Sequence, residues 1–127
     1  MQAHPFLMFQ GQANEAIALW SKAFPELEVL ELTRHAEGPQ KGQVAAGRLR
    51  LGGSEWRLFD SPPVHDFTFT PSTSIFVDCD DEAQLRRLAA VLGEDGHTMM
   101  SVDNYGFSRL FTWIADRFGV SWQLSLP

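Results

Sequence analysis

The sequence contains an internal repeat, and this repeat constrains the fold more than any other feature. Residues 53–58 read Gly-Ser-Glu-Trp-Arg-Leu and residues 119–124 read Gly-Val-Ser-Trp-Gln-Leu, so both segments share the pattern Gly-x-x-Trp-x-Leu. Glu15-Ala16 recurs as Glu82-Ala83 at the same point of two predicted helices, with about the same shift along the chain. A common shift at a helix and at a strand predicts two copies of one supersecondary unit.

The first copy is predicted to contain one strand, one helix and three further strands. The helix is expected to begin at Asn14 as N-cap and to end at Pro25, which cannot continue it. Its apolar face carries residues at helical spacing: Ala16, Ile17, Trp20 and Phe24. The strands are predicted from short apolar or alternating runs: 6–9, 28–34, 44–51 and 55–60, the last two joined by a Gly-Gly-Ser hairpin.

The second copy follows the same order. A strand is predicted at 74–77, and Asp81 with Gln84 has the spacing of a capping box for the helix after it. The apolar helix face is Leu85, Leu88, Ala89 and Leu92, before Gly93 as C-terminal stop. The remaining strands are predicted at 97–102, 108–114 and 120–126.

These elements predict an α+β protein built from two tandem β-α-β-β-β modules. Module one spans about 4–60, a Pro-rich connector spans 61–71, and module two spans about 72–126, all within a single domain of residues 1–127. The strands that carry Trp56 and Trp122 are expected to occupy matching positions in the two modules.

Composition excludes several classes of function. The formal net charge of −6 argues against a nucleic-acid backbone or an anionic membrane as partner, because both select basic surfaces. No apolar run reaches the ~20 residues that span a bilayer. The first five residues lack the basic and apolar regions of a signal peptide, so a cytoplasmic location is expected. Cys79 is the only cysteine and lies among acidic residues, which disfavours a nucleophilic thiol.

Two segments resemble a known family. Residues 6–16 read Phe-Leu-Met-Phe-Gln-Gly-Gln-Ala-Asn-Glu-Ala, and the tail includes Tyr-Gly-Phe-Ser-Arg at 105–109 and Trp-Ile-Ala-Asp-Arg-Phe-Gly-Val-Ser-Trp-Gln-Leu at 113–124. Over nearly its whole length the chain resembles the PhnB-like branch of the vicinal oxygen chelate superfamily, which has the glyoxalase/bleomycin-resistance fold. The resemblance implies a cupped, mixed eight-stranded sheet with helices on its outer face, a small-molecule ligand in the cup, and a homodimer.

Some members of this group are labelled 3-demethylubiquinone 3-methyltransferases. A nucleotide-type cofactor normally needs a glycine-rich turn at a helix N-terminus, and this chain contains no Gly-x-Gly. We therefore expect no such cofactor.

The resemblance also implies where a metal would be bound. In metal-using relatives the ligands lie on the first and last strands of each module, which gives four positions. Here the two last-strand positions hold Arg57 and Gln123, and the first-strand position of module two falls in the segment 72–74. The first-strand position of module one could reach His4. Arginine cannot bind a cation and a glutamine oxygen binds one weakly. The expectation is that no metal is held.

Strand alternation predicts which side chains share a face. Trp56 and Leu58 point towards the helices, so Arg57 and Phe59 point into the cup. The predicted ligand-binding residues are Arg57, Gln123, His4, Phe59, Arg48 and Arg50. For Arg48 and Arg50 a position as solvated edge residues is an equal alternative. For His4, near the N-terminus and before Pro5, a partly solvated surface position is the more usual one.

The predicted cup is polar, basic and partly aromatic, which suits a small anionic or carbonyl compound. Three functions follow from different premises. The first is a metal-free small-molecule binder. The second is a metal-dependent lyase, isomerase or dioxygenase of the glyoxalase type, which would use His4, Gln123 and Asp60. The third is a protein whose dimer surface is its function.

Overall fold

The computed structural model describes all 127 residues as two compact units, Met1–Thr68 and Phe69–Pro127. Each unit contains four strands and one helix in the order β-α-β-β-β. The eight predicted strands and two predicted helices are all present. Hydrogen bonding between the strands forms two four-stranded mixed sheets, one in each unit.

The first unit forms a sheet with strand order β1-β4-β3-β2. Strand β1 lies parallel to β4, and the β4-β3 and β3-β2 pairs are antiparallel. The bounds are β1 Phe6–Phe9, α1 Ala13–Ala23, β2 Glu28–Arg34, β3 Val44–Leu51 and β4 Ser54–Asp60. The β3-β4 turn is Gly52-Gly53, where φ is +56° and +84°, a conformation that favours glycine and confirms the predicted hairpin.

The second unit repeats this topology with strand order β5-β8-β7-β6. Its bounds are β5 Ser74–Asp78, α2 Glu82–Gly93, β6 His97–Asp103, β7 Leu110–Ala115 and β8 Ser121–Leu126. Arg57 pairs with Phe6 in the first sheet, and Gln123 pairs with Phe76 at the matching point of the second. The two tandem β-α-β-β-β modules are thereby confirmed.

The two helices begin in different ways. Asp81 caps α2, because its side chain accepts the N–H of Gln84 at 2.8 Å, as predicted. The prediction of Asn14 as N-cap of α1 is wrong: Gln12 holds that position, and its side chain makes no capping hydrogen bond. The buried Asp60 carboxylate supplies acceptors there instead, for the N–H groups of Gly11 and Ala13.

Each unit has its own core between the helix and one face of the sheet. In the first, Trp20 of α1 meets Trp56 of β4 edge to face, with ring centroids 5.9 Å apart. In the second, Trp122 and Leu124 are buried on the same side as the apolar residues of α2. The Trp and Leu positions of β4 and β8 therefore pack under the helices, as the alternation predicts. Neither helix is long and apolar enough to cross a membrane.

Candidate functional site

The candidate site lies on the face of the first sheet that α1 leaves uncovered. We call it the open face of unit 1, and it comprises Phe6, Glu28, Glu31, Arg48, Arg50, Glu55, Arg57 and Phe59. The register places Phe6 and Arg48 on either side of Arg57. The Arg57 side chain is 50% exposed, so its guanidinium can reach a ligand. The rings of Phe6 and Phe59 stack with centroids 5.0 Å apart and supply an apolar border.

Arg48 and Arg50 both have carboxylate partners on the neighbouring strand. Arg48 donates to Glu31 at 3.0 Å, and this hydrogen bond raises the pKa of Arg48 above its ordinary value. Arg50 lies 3.6 Å from Glu28. These partners come from β2, whose register against β3 shifts between Val29 and Glu31. Sequence alternation alone could not show which β2 residues would oppose the arginines.

The open face of unit 1 therefore differs from the basic surface that the sequence predicts. Three guanidinium groups share it with three carboxylates: Arg48, Arg50 and Arg57 with Glu28, Glu31 and Glu55. Glu55 was not among the predicted site residues, although it lies two residues before Arg57 on β4 and so on the same face. The face is balanced in charge.

Arg57 is the least tightly paired of these arginines. Its Nε lies 3.8 Å from the Glu55 carboxylate, whereas Arg48 Nη1 approaches the same carboxylate at 3.3 Å. A guanidinium has five N–H donors, and one long contact leaves most of them for another acceptor. Arg57 is thus the group on this face best placed to take an anion.

His4 contacts the same carboxylate. Its Nε2 lies 3.4 Å from Glu55 Oε2, is buried, and has no hydrogen-bond partner. Its side chain is 19% exposed, so His4 lies against the open face of unit 1 rather than free in solvent. Glu55 consequently joins His4, Arg48 and Arg57 into one cluster.

Gln123 lies on the corresponding face of the second sheet. We call this the open face of unit 2, comprising Ser74, Phe76, Phe111, Trp113, Ser121 and Gln123. Gln123 donates through Nε2 to Ser74 Oγ at 3.1 Å, and Ser74 and Ser121 share a hydrogen bond of 2.7 Å. The Trp113 indole donates to Ser121 Oγ at 2.8 Å. This network fixes the Gln123 amide with its carbonyl oxygen unused.

Aromatic rings surround this network and continue towards the β6-β7 loop. Phe76 is 54% exposed, while Phe111 beneath it is buried. Phe107 is 64% exposed, and its ring meets Phe111 edge to face at 4.8 Å. The Tyr105 hydroxyl donates to the Ser101 carbonyl. The open face of unit 2 is thus more aromatic and less charged than that of unit 1.

The residues present do not fit the divalent metal that metal-using relatives hold. Glu55 is the carboxylate nearest His4, but the positive charges of Arg48 and Arg57 lie beside it and oppose a cation. Asp60 would be the third metal ligand in a glyoxalase-type enzyme. It is buried on the helix face, however, and accepts the backbone N–H groups of Gly11, Ala13 and Val44. No group of three or more His, Cys, Asp or Glu side chains is placed to hold a metal ion.

A nucleotide-type cofactor does not fit the helix N-termini either. Binding a phosphate there requires free backbone N–H groups in the first turn. Asp60 accepts the N–H of Ala13 in α1, and Asp81 accepts that of Gln84 in α2, so a carboxylate already lies at each helix N-terminus and opposes a phosphate.

The comparisons with known proteins decide the family. The family model for 3-demethylubiquinone-9 3-methyltransferase matches residues 1–125. The chain belongs to this family. Its members are the PhnB-like branch of the vicinal oxygen chelate superfamily, in agreement with the resemblance of the sequence. No curated protein matches the sequence.

Solved structures of similar chains agree with this assignment, and one of them is described as a PhnB protein. A PhnB protein from Bacillus cereus is 37% identical, with complete coverage of both chains and a TM-score of 0.93. A Pseudomonas aeruginosa protein is 25% identical over 99% of this chain and 97% of its own, with a TM-score of 0.84. The fosfomycin resistance protein FosX from Mesorhizobium loti shares the fold at 9% identity, covering 100% and 91%, with a TM-score of 0.66.

Proposed function

We propose that this PhnB-like chain binds a small anionic or carbonyl compound without a metal, with Arg57 as the main anion contact. The observation that carries the proposal is the half-exposed Arg57 guanidinium, whose one ion-pair contact is the long 3.8 Å approach to Glu55. A planar guanidinium suits a carboxylate or phosphate, because its parallel N–H groups can donate to two oxygens at once.

The neighbours of Arg57 could contact the remainder of such a ligand. Phe59 and its stacked partner Phe6 offer an apolar contact beside the charge. His4 lies beside the Glu55 carboxylate, and it would contact a ligand that takes the place of this carboxylate next to Arg57. In this proposal Arg48 and Arg50 act mainly by holding the carboxylates of β2 and Glu55 in place.

A thermal-shift screen with acetate, pyruvate and phosphate tests the proposal. We expect at least one of these anions to raise the melting temperature of the parent, because a ligand that binds only the folded state stabilises it. Arg57→Leu should lose most of that shift and keep its fold, since the side chain is not core. Arg117→Leu is the matched control, because Arg117 also has one long ion pair, 3.9 Å from Glu94. Equal shifts in all three proteins would reject Arg57 as the anion contact.

We also propose that the chain forms a homodimer. Three large apolar side chains outside both open faces, Val64, Phe67 and Phe107, are each more than half exposed, and a partner surface would bury them. Light scattering at micromolar concentration should then give twice the mass of the 14.3 kDa chain. A species of 14.3 kDa alone would reject the dimer.

A further inference from the structure

We propose that the open face of unit 2 binds an uncharged, planar ring compound that carries an N–H donor next to a C=O acceptor. The class includes lactams and primary aromatic carboxamides. The inference goes beyond the proposed function, because it concerns the other sheet and does not depend on Arg57. The order of side chains across β5, β8 and β7 and the direction of their hydrogen bonds support it.

An amide lies between two aromatic side chains on this face. Gln123 on β8 pairs in register with Phe76 on β5 and with Trp113 on β7. Paired residues of neighbouring strands point to the same face, so the three side chains form one row. Phe76 is 54% exposed and Trp113 is half-buried, so both rings remain available to a ligand. Aromatic rings on either side of a polar group favour a flat, unsaturated ligand.

The direction of the hydrogen bonds follows from burial. Ser121 is 1% exposed and accepts from the Trp113 indole, so its own O–H needs an acceptor within the protein. The only hydroxyl bonded to it is Ser74 Oγ, at 2.7 Å. We therefore assign Ser121 as the donor in that pair. Ser74 then accepts from Ser121 and also from Gln123 Nε2, which occupies both of its lone pairs.

This assignment leaves one donor and one acceptor unused, side by side. The donor is the Ser74 O–H, on a partly exposed residue, and the acceptor is Gln123 Oε1. The two side chains are held together by the 3.1 Å bond between Gln123 Nε2 and Ser74 Oγ. A ligand with adjacent N–H and C=O groups would give its N–H to Gln123 and accept from Ser74. A carboxylate would place negative charge against the Gln123 oxygen, so this face selects against anions.

The test compares two probes that differ by one methyl group. 2-Pyridone has an N–H next to its carbonyl, and N-methyl-2-pyridone lacks the N–H. Binding is measured by tryptophan fluorescence, in which Trp113 is the half-buried reporter while Trp20, Trp56 and Trp122 are buried, and by ligand-observed saturation-transfer NMR. We expect the parent to bind 2-pyridone about tenfold more tightly than N-methyl-2-pyridone, because the methylated probe cannot donate a hydrogen bond to Gln123 Oε1.

Variants assign the preference to the named side chains. Gln123→Leu should bind both probes equally, because the acceptor is gone. Ser74→Ala should weaken the binding of both probes, because the carbonyl oxygen of each probe accepts the Ser74 O–H. This variant also serves as the second test if Gln123→Leu fails to fold. Gln12→Leu is the matched control, since Gln12 is exposed and its side chain makes no capping bond.

Equal affinity of the parent for the two probes, or a preference that survives in Gln123→Leu, would overturn the inference. Both probes are uncharged and need no guanidinium. The changes in melting temperature with phosphate and carboxylates, which test the role of Arg57, are therefore independent of this result.

Discussion

Arg48 and Arg57 lie opposite each other on β3 and β4, yet they differ in how firmly carboxylates hold them. Arg48 contacts Glu31 at 3.0 Å and Glu55 at 3.3 Å, while Arg57 reaches Glu55 only at 3.8 Å. Arg48 is therefore neutralised within the protein, and Arg57 is left to an external anion. Glu55 competes with that anion for Arg57.

This competition predicts that a variant without the Glu55 charge binds an anion more tightly than the parent does. Glu55→Gln removes a negative charge beside the anion site, so phosphate should bind more tightly, by roughly fivefold for an interaction of about 1 kcal/mol at a partly exposed site. Calorimetric titration of phosphate measures the change. Glu94→Gln is the control, because Glu94 pairs with Arg117 outside the open face of unit 1 and should leave phosphate affinity unaltered. Weaker phosphate binding to Glu55→Gln would contradict the competition.

Asp60 is predicted to be structural. Its carboxylate is 2% exposed and accepts three backbone N–H groups from the loop before α1 and from the start of β3. Asp60→Asn replaces one acceptor by a donor that faces an N–H group, and should lower the free energy of unfolding by about 2–4 kcal/mol. Urea denaturation checks this value. Asp66→Asn, in the exposed connector, should change it by less than about 0.5 kcal/mol, and a similar loss in both variants would contradict the role of Asp60.

Cys79 is predicted to be unreactive in the folded protein. Burial, followed by the charges of Asp80 and Asp78, raises the pKa of its thiol from 9.0 to about 11. Since the pKa is raised, the folded state keeps the neutral thiol at pH values where the unfolded chain ionises. At pH 8 the thiolate fraction should be about 100-fold lower than in the unfolded chain. Disulfide-exchange rates with and without urea test this, and the folded rate should still be rising at pH 10. Equal rates would refute the shift.

Metal content provides an independent prediction. The guanidinium groups beside Glu55 and the three N–H groups on Asp60 leave no set of donors that suits a divalent ion. Protein purified without chelator should carry well under one equivalent of zinc, iron, nickel or manganese by elemental analysis. A stoichiometric metal that is lost on replacing His4 or Gln123 would contradict this prediction and support a metal-dependent enzyme of the glyoxalase type.

The sequence predicted the fold well because its signals are local and repeated. Alternation in β4 and β8 placed Trp56 and Trp122 under the helices, and the Gly52-Gly53 turn marked the hairpin. The cap of α1 could not be predicted, because its acceptor, Asp60, lies 47 residues from Ala13 in the chain. Long-range polar contacts of this kind have no sequence period.

The site was predicted less completely for the same reason. Arg57 and Gln123 do lie on the faces opposite the buried tryptophans, as alternation requires. The charge of the first face depends instead on which β2 residues oppose β3, and a register shift between Val29 and Glu31 hides that from the sequence. Phe107 lies in the loop before β7, outside any strand, so alternation could not predict its exposure.

The measurement that tests the account most directly is a calorimetric titration of pyruvate, a carboxylate with an adjacent carbonyl, into the parent, Arg57→Lys and Arg57→Leu. Lysine keeps the charge but not the two parallel donors, so affinity should fall in that order. The loss from parent to Arg57→Leu should be roughly ten- to a hundredfold, the value of a charge-assisted hydrogen bond. Pyruvate affinities within twofold of one another in all three proteins would contradict the central role of Arg57.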